Sequence, residues 1–570
     1  MLNSKIQKLI RNKQYLVFGL LLILMLLIHR YIFLYADDLY YSRDASYGLS
    51  YLPHFVVKEL IGNGRVWVGV AMLFILKYNI YVFRIFNPVV IALTAFLITK
   101  ISTSSSGCNN TLNKQRIVIA SLCSSLFFVF LPIEIANTTI YYAACAFNYL
   151  YPTTLVLLYG YTLHKHYEKA PDGKFNIWIL ILAFIVGSSV QQVGMIGIGY
   201  TVLISAYYRF YQRLNNFKSF IPYYIALIGG YCIVSYGSIH RMQFEKQTGH
   251  AVNFKAVTSS LIKTNIFSYP VSGYVLILSL CCVFWMLVYK NQLPNKIITL
   301  CNNILMTALS FGILGYIYVV FYKKYDIHLF TGGLSNTLLS ICLLGFAAVY
   351  LISLIYLSIL ILIKRHYPFL LYNSINAIGS QLMLFVVDAR FAEAYKIIFP
   401  ALLLMTVFVV YSIINFYKNK LFLILLVIFE SFSLAHLGKF AITYLNHSYN
   451  VNSSYTYLFI TFVIFAILAI IVGHYKIKNF RGLAATAIIL LGLFNFGTEY
   501  YGYQLASYAQ NYNMKAIKVF HLNHNSSELT LKKTPRTIYG YNVANWNTMP
   551  YFMKECYHIP EKTAAIKYIE

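Results

Sequence analysis

Two adjacent carboxylates, Asp37 and Asp38, follow the first long apolar run of the chain in the stretch "LYADDLYYSRDASYG". Acid is scarce in this protein, with 17 Asp and Glu against 45 Lys and Arg, so its placement is informative. A carboxylate at a membrane surface can take a proton from a sugar hydroxyl or hold a divalent cation against a phosphate. Its plainer role is to end an apolar helix where water begins. Acid chemistry that expels a phosphate also needs cations near the leaving group. Three arginines suit that role: Arg65 in "GNGRVW", Arg241 after "SYGSIH", and Arg390 in "VVDARFAEAY". The guanidinium fork engages phosphate oxygens in pairs, which an ammonium cannot do. Asn63 precedes Arg65 in the same short loop, and His240 adjoins Arg241. Asn148 and Tyr149 in "YYAACAFNYLYPTT" offer an amide and a phenol to sugar hydroxyls, as does Gln191 in "GSSVQQVG". Each has a simpler reading as an aromatic-belt residue, a loop cap or a headgroup contact.

The elements that must carry these residues are hydrophobic helices. Of 570 residues, 59% are hydrophobic and 11% charged, where a soluble protein has roughly 25% charged. Apolar runs of bilayer-spanning length recur along the chain and do not alternate at period two, which makes a β-barrel the poorer alternative. The expected fold is all-α: a polytopic helical bundle of about 13–15 spans. The run Tyr15–Leu34 follows Lys5, Lys8, Arg11 and Lys13 and reads as a retained signal anchor. With the N-terminus cytoplasmic, basic loops at 164–174, 207–218, 290–296, 364–367, 417–420 and 474–481 all fall inside. The expected organisation is residues 1–34 as N-terminus and first span, and 35–87 as an outward loop with two surface helices at 50–62 and 65–83. Residues 88–498 would be the bundle, and 499–570 a small outer cap.

The net charge of +28 is spread along the chain and not gathered into a basic soluble domain, so nucleic acid is not the expected partner. The nine cysteines show no CxxC or zinc spacing, and no HExxH, GxGxxG, P-loop or GxSxG is present.

Taken in order, "ADDLYY", "NGR", "CAFNYLYP", "GSIHR", "DARFAEA" and "NWNTMPYFMKECYHIP" resemble an uncharacterised bacterial family of multi-pass membrane proteins grouped with the GT-C-type glycosyltransferases. That resemblance implies an inverting transferase of the bacterial inner membrane with its site on the outer side. The donor would be a polyprenyl-phosphate-linked sugar and the acceptor a glycan or lipid-linked saccharide. Asp37 or Asp38 would be the catalytic base, with Asp37 slightly preferred. Arg65, Arg241 and Arg390 would hold the lipid phosphate, and a divalent cation (Mg or Mn) on Asp37 and Asp38 is a possible cofactor. Two positions depart from the pattern: Gln191 and Gln192 stand where an acid is expected, and Tyr236, Gly237 and Ser238 where a Pro-Gly-Asn is expected. Rival readings are a polysaccharide polymerase or ligase, and a flippase or transporter of lipid-linked saccharide. A transporter would carry internal repeats and mid-span charges; here mid-span charges are few and no repeat is found.

Overall fold

The computed structural model describes residues 13–76, 80–104, 110–170, 175–213, 217–247, 254–293, 295–323, 334–386, 392–433, 480–522, 529–534, 537–540, 556–557, 559 and 566–569. Among them, seven helices are long and apolar enough to cross a membrane, and three shorter apolar helices accompany them. The protein is an all-α polytopic membrane protein, with one small pair of strands. It divides into two units.

The first unit comprises residues 1–97, 133–250 and 497–570. Helix α1 (Lys13–His29) is a continuous apolar run. The sequence reading carried the first span to Leu34, but the helix ends at His29. The segment beyond it is held otherwise: the carbonyl of Ile32 accepts from Arg84 Nε at 2.8 Å and Nη2 at 2.6 Å. The chain then turns at Ala36, whose φ of 47° lies in the left-handed region, a conformation that costs a non-glycine residue about 1–3 kcal/mol. Helix α2 (Asp37–Ser46) starts there. The acid pair therefore opens a new helix and does not close the first.

Two short helices follow, α3 (Leu52–Gly62) and α4 (Val66–Leu76); the second was expected over 65–83, but another helix has already begun at Tyr81. This unit also holds most of α5 (Tyr81–Ser102). Helix α6 (Asn110–Val129) belongs to the second unit. The first unit resumes with α7 (Tyr151–Lys169), α8 (Ile177–Gly187), α9 (Gln191–Ala206) and α10 (Ile221–Gln247). Asn176 caps α8 by accepting from the N–H groups of Trp178 and Ile179.

Glycines set how closely these helices meet. A Cβ on Gly187 would stand 2.4 Å from the Leu227 carbonyl oxygen, so α8 and α10 touch backbone to backbone. The loop between α3 and α4 lies equally close on α10. A Cβ on Gly64 (φ +70°) would meet the Val234 carbonyl oxygen at 2.5 Å, and one on Gly237 the Gly64 nitrogen at 2.1 Å. Only glycine satisfies both the conformation at 64 and the contact. The loop that carries Asn63 and Arg65 is thereby seated on α10.

The second unit, residues 98–132 and 251–496, contains α11 (Phe254–Ile262), α12 (Tyr269–Tyr289), α13 (Lys296–Ile317), α14 (Leu334–Arg365), α15 (Phe369–Leu382), α16 (Tyr395–Phe416) and α17 (Lys420–Ser433). Its core is aromatic. Trp285 on α12 is fully buried, stacks on Tyr289 and Tyr411, and donates to Ser412 Oγ at 2.9 Å. Tyr367 in turn stacks on Tyr411 with centroids 4.3 Å apart.

The last helix, α18 (Phe480–Leu522), extends well past the expected end of the bundle near residue 499. The tail, read from sequence as a small helical cap, also forms a parallel pair, β1 (Leu529–Lys532) with β2 (Ile566–Ile569). Leu529, Leu531 and Ile559 pack with Ile517 of α18 and with Leu39 of α2.

Gly237→Ala is expected to destabilise the protein by about 3 kcal/mol, because backbone cannot yield as a side chain does. Gly229→Ala, on the same helix with open space at its Cβ, is expected to leave stability unchanged or slightly raised. Thermal unfolding of the two variants in detergent checks the contrast.

Candidate functional site

The acid pair splits into two different environments. Asp37 is exposed at the N-terminus of α2, and its backbone N–H donates to Tyr142 Oη at 2.8 Å. Asp38 is fully buried. Its Oδ1 accepts from the Ala144 N–H at 2.7 Å, while its Oδ2 has no hydrogen-bond partner. Burial pushes the Asp38 carboxyl well above the usual carboxylate range, opposed by the amides of Ala144, Tyr35 and Ala143 and aided by the neighbouring Asp37. Both acids lie in the first turn of their helix, where the backbone dipole favours negative charge.

Ala144 passes the connection onward. Its carbonyl accepts from Asn148 Nδ2 at 2.6 Å, and Asn148 Oδ1 accepts from Arg65 Nη1 at 3.0 Å. Asn148 lies in a π-helical turn, Ala146–Leu150, the wider geometry that recurs at functional sites. Arg65 Nη2 reaches Gln191 Oε1 at 3.5 Å, while its Nε is buried without a partner. Gln191 is the first residue of α9, not part of the reversal before it. Arg241 Nη1 donates to Asn63 Oδ1 at 3.1 Å.

Six of the residues singled out by type and spacing thus fall into two linked sets. Asp38, Asn148, Arg65 and Gln191 form one run of contacts, and Asn63 with Arg241 forms the other, joined through the Asn63–Arg65 loop. Asp37 sits beside the first set through its place next to Asp38. Tyr149 lies in the π-helical turn, but its contribution there is a carbonyl accepting from Thr153. His240 is exposed, with its ring beside Tyr236 at 5.9 Å. Arg390 lies outside the described residues.

Three contributors were not among the residues singled out from the sequence. Glu59 of α3 is almost completely buried, with Oε1 accepting from Tyr41 at 3.4 Å and Oε2 from Asn63 Nδ2 at 3.4 Å. Burial raises its carboxyl above the usual range, against Asn63, Arg65 and Lys58. Tyr142, explicable from sequence as a belt aromatic, is buried, stacks on Tyr35 at 4.5 Å and supports Asp37. Asp44 is fully buried in ion pairs with Arg43 at 2.9 Å and Lys58 at 2.8 Å, and both cations also face the Tyr40 ring. That triad fastens α2 to α3. The available signal for Glu59 and Asp44 was scarcity, since an acid in a surface stretch this poor in acid must have a partner.

Among the described residues no three His, Cys, Asp or Glu side chains converge as metal ligands. Asp38 has one oxygen committed to an amide N–H and a carboxyl that burial favours in its protonated form. This donor set does not make a cation site, so no step here is routed through one.

The fold and these contacts define a multi-pass helical membrane protein with an acid-and-arginine site at the junction of its surface helices. Comparison with family models, with curated proteins and with solved structures finds no match to the chain.

The Asp38 carboxyl keeps its proton to higher pH in the folded chain than in the unfolded one. Between the ordinary carboxylate range and that raised value the unfolded state has released its proton while the folded state still holds it, so stability falls as the pH rises through this window. Asp38→Asn keeps an acceptor for Ala144 and removes the charge. Melting temperatures measured across pH are expected to fall for the wild type relative to D38N as pH rises, and parallel curves would refute the assignment.

Proposed function

We propose that the chain is an inverting glycosyltransferase of the GT-C type, moving a sugar from a polyprenyl-phosphate donor onto a cell-surface glycan or lipid-linked saccharide. The reaction takes place on the outer side of a bacterial inner membrane. The observation that carries this reading is the run of contacts from the acid pair to Arg65, through Ala144 and Asn148. It joins a carboxyl and an arginine on one scaffold, which is the pairing this reading requires.

In this mechanism Asp37 is the base, because it is the exposed member of the pair and a base must reach its proton. The acceptor oxygen attacks C1 of the sugar and gives its proton to the Asp37 carboxylate. The bond from C1 to the phosphate oxygen breaks with inversion, and polyprenyl phosphate leaves carrying the electron pair. Arg65 and Arg241 stabilise the charge that grows on it. Asp38 positions: its bond to Ala144 fixes the first turn of α2 against the Asn148 turn. Arg65 suits the leaving group because it meets amide oxygens and, among the described residues, forms no ion pair.

Asp37→Asn is expected to cut transfer by about 10²–10⁴-fold, and Arg65→Gln by about 10²–10³-fold, with protein abundance unchanged. Mass spectrometry of surface polysaccharide from cells carrying each variant, against deletion and wild-type cells, provides the readout. Wild-type glycan from D37N cells would remove Asp37 from the chemistry.

A further inference from the structure

Glu59 occupies the point where three surface helices meet. Its carboxyl reaches Tyr41 on α2 and Asn63 at the end of its own helix, α3. On the α4 side it lies flat against Gly69, where a Cβ would come within 3.0 Å of Glu59 Cγ and 3.3 Å of Oε2. Its backbone carbonyl accepts from both Asn63 N–H at 2.9 Å and Gly64 N–H at 2.7 Å. One residue therefore holds the Asn63–Gly64–Arg65 loop through main chain and side chain together.

The charges around it are unequal. Lys58 is its neighbour on α3 and Arg65 lies in the following loop, both near enough to act on it electrostatically. Tyr41 faces it from α2, and α4 presents no titratable side chain. From α10, Arg241 reaches it through Asn63, with His240 exposed alongside. Lys58 is itself committed to Asp44, whereas Arg65, among the described residues, forms no ion pair and donates to the amide oxygens of Asn148 and Gln191.

We propose that Glu59 is a positioning residue for the anion-binding end of the site: its carboxyl orients Asn63 toward Arg241, and its charge sets how strongly Arg65 holds a phosphate. The proposal rests on the reading of Arg65 and Arg241 as phosphate ligands. With Glu59 protonated, the full guanidinium charge of Arg65 acts on the anion. With Glu59 ionised, part of that charge is neutralised from within the protein. Burial holds the carboxyl in its neutral form to higher pH than usual, so the change falls above the ordinary carboxylate range.

The test is equilibrium binding of decaprenyl phosphate to the full-length protein in detergent, from about pH 5.5 to 8.5, with decaprenol as the neutral control. The ligand's own ionisation is common to all variants, so ratios isolate the protein. Glu59→Gln is expected to bind like the wild type at the acid end and about fivefold more tightly at the alkaline end. Glu59→Asp, too short to reach both Tyr41 and Asn63, is expected to bind more weakly throughout and to keep the wild-type trend. A ratio of E59Q to wild type that stays constant with pH would overturn the proposal, as would E59D binding indistinguishable from wild type. Should E59Q fail to accumulate, the E59D comparison decides. Arg65→Gln and Arg241→Gln separate the two levels: undiminished binding in both sinks the phosphate reading itself, whereas loss in R65Q beside a flat E59Q ratio sinks only the role of Glu59.

Discussion

The hydrogen bond from the Ala144 N–H to the Asp38 carboxyl is the constraint on which the site depends. A fully buried carboxyl with one oxygen unpaired is an expensive group, and removing the Ala144 bond would cost about 1–3 kcal/mol more. That cost ties the first turn of α2 to the segment 143–150. The same segment then presents Asn148 to Arg65. Asp37 gains its place from the arrangement without taking part in it. The division gives one carboxylate burial and fixed geometry, and leaves the other free to meet solvent.

Close backbone contact supplies the rest of the positioning. Gly64 and Gly237 let the Asn63–Arg65 loop sit directly on α10, while Gly187 lets α8 approach the same helix. Inside a bilayer, where apolar burial discriminates little between helix partners, such small-residue contacts carry much of the packing specificity. Here one of them also seats the Asn63–Arg65 loop.

The helical class was legible because hydropathy and run length follow directly from bilayer thickness. Asn63, Arg65, Asn148 and Gln191 were legible by a different route: polar side chains at the edges of apolar runs are few and need a reason. The start of α2 was not legible, since it depends on an Arg84 contact to Ile32 and on a left-handed Ala36, both of them tertiary events. The roles of Tyr142 and Glu59 were hidden for a related reason. Among 53 tyrosines no pattern separates the one beneath Asp37 from its neighbours. An acid in an amphipathic helix reads as solvated until the helices packed over it are known. The strands β1 and β2 are four residues each and too short for a period to register.

The contact between Leu39 of α2 and Leu529, Leu531 and Ile559 has a consequence for biogenesis. Nearly five hundred residues separate the two sides, and closure over such a distance belongs to the slow, late part of folding. The helix that opens with Asp37 and Asp38 leaves the ribosome early yet acquires its hydrophobic backing only once residues 529–559 have been made. A chain interrupted before residue 529 would therefore carry the acid helix without that backing.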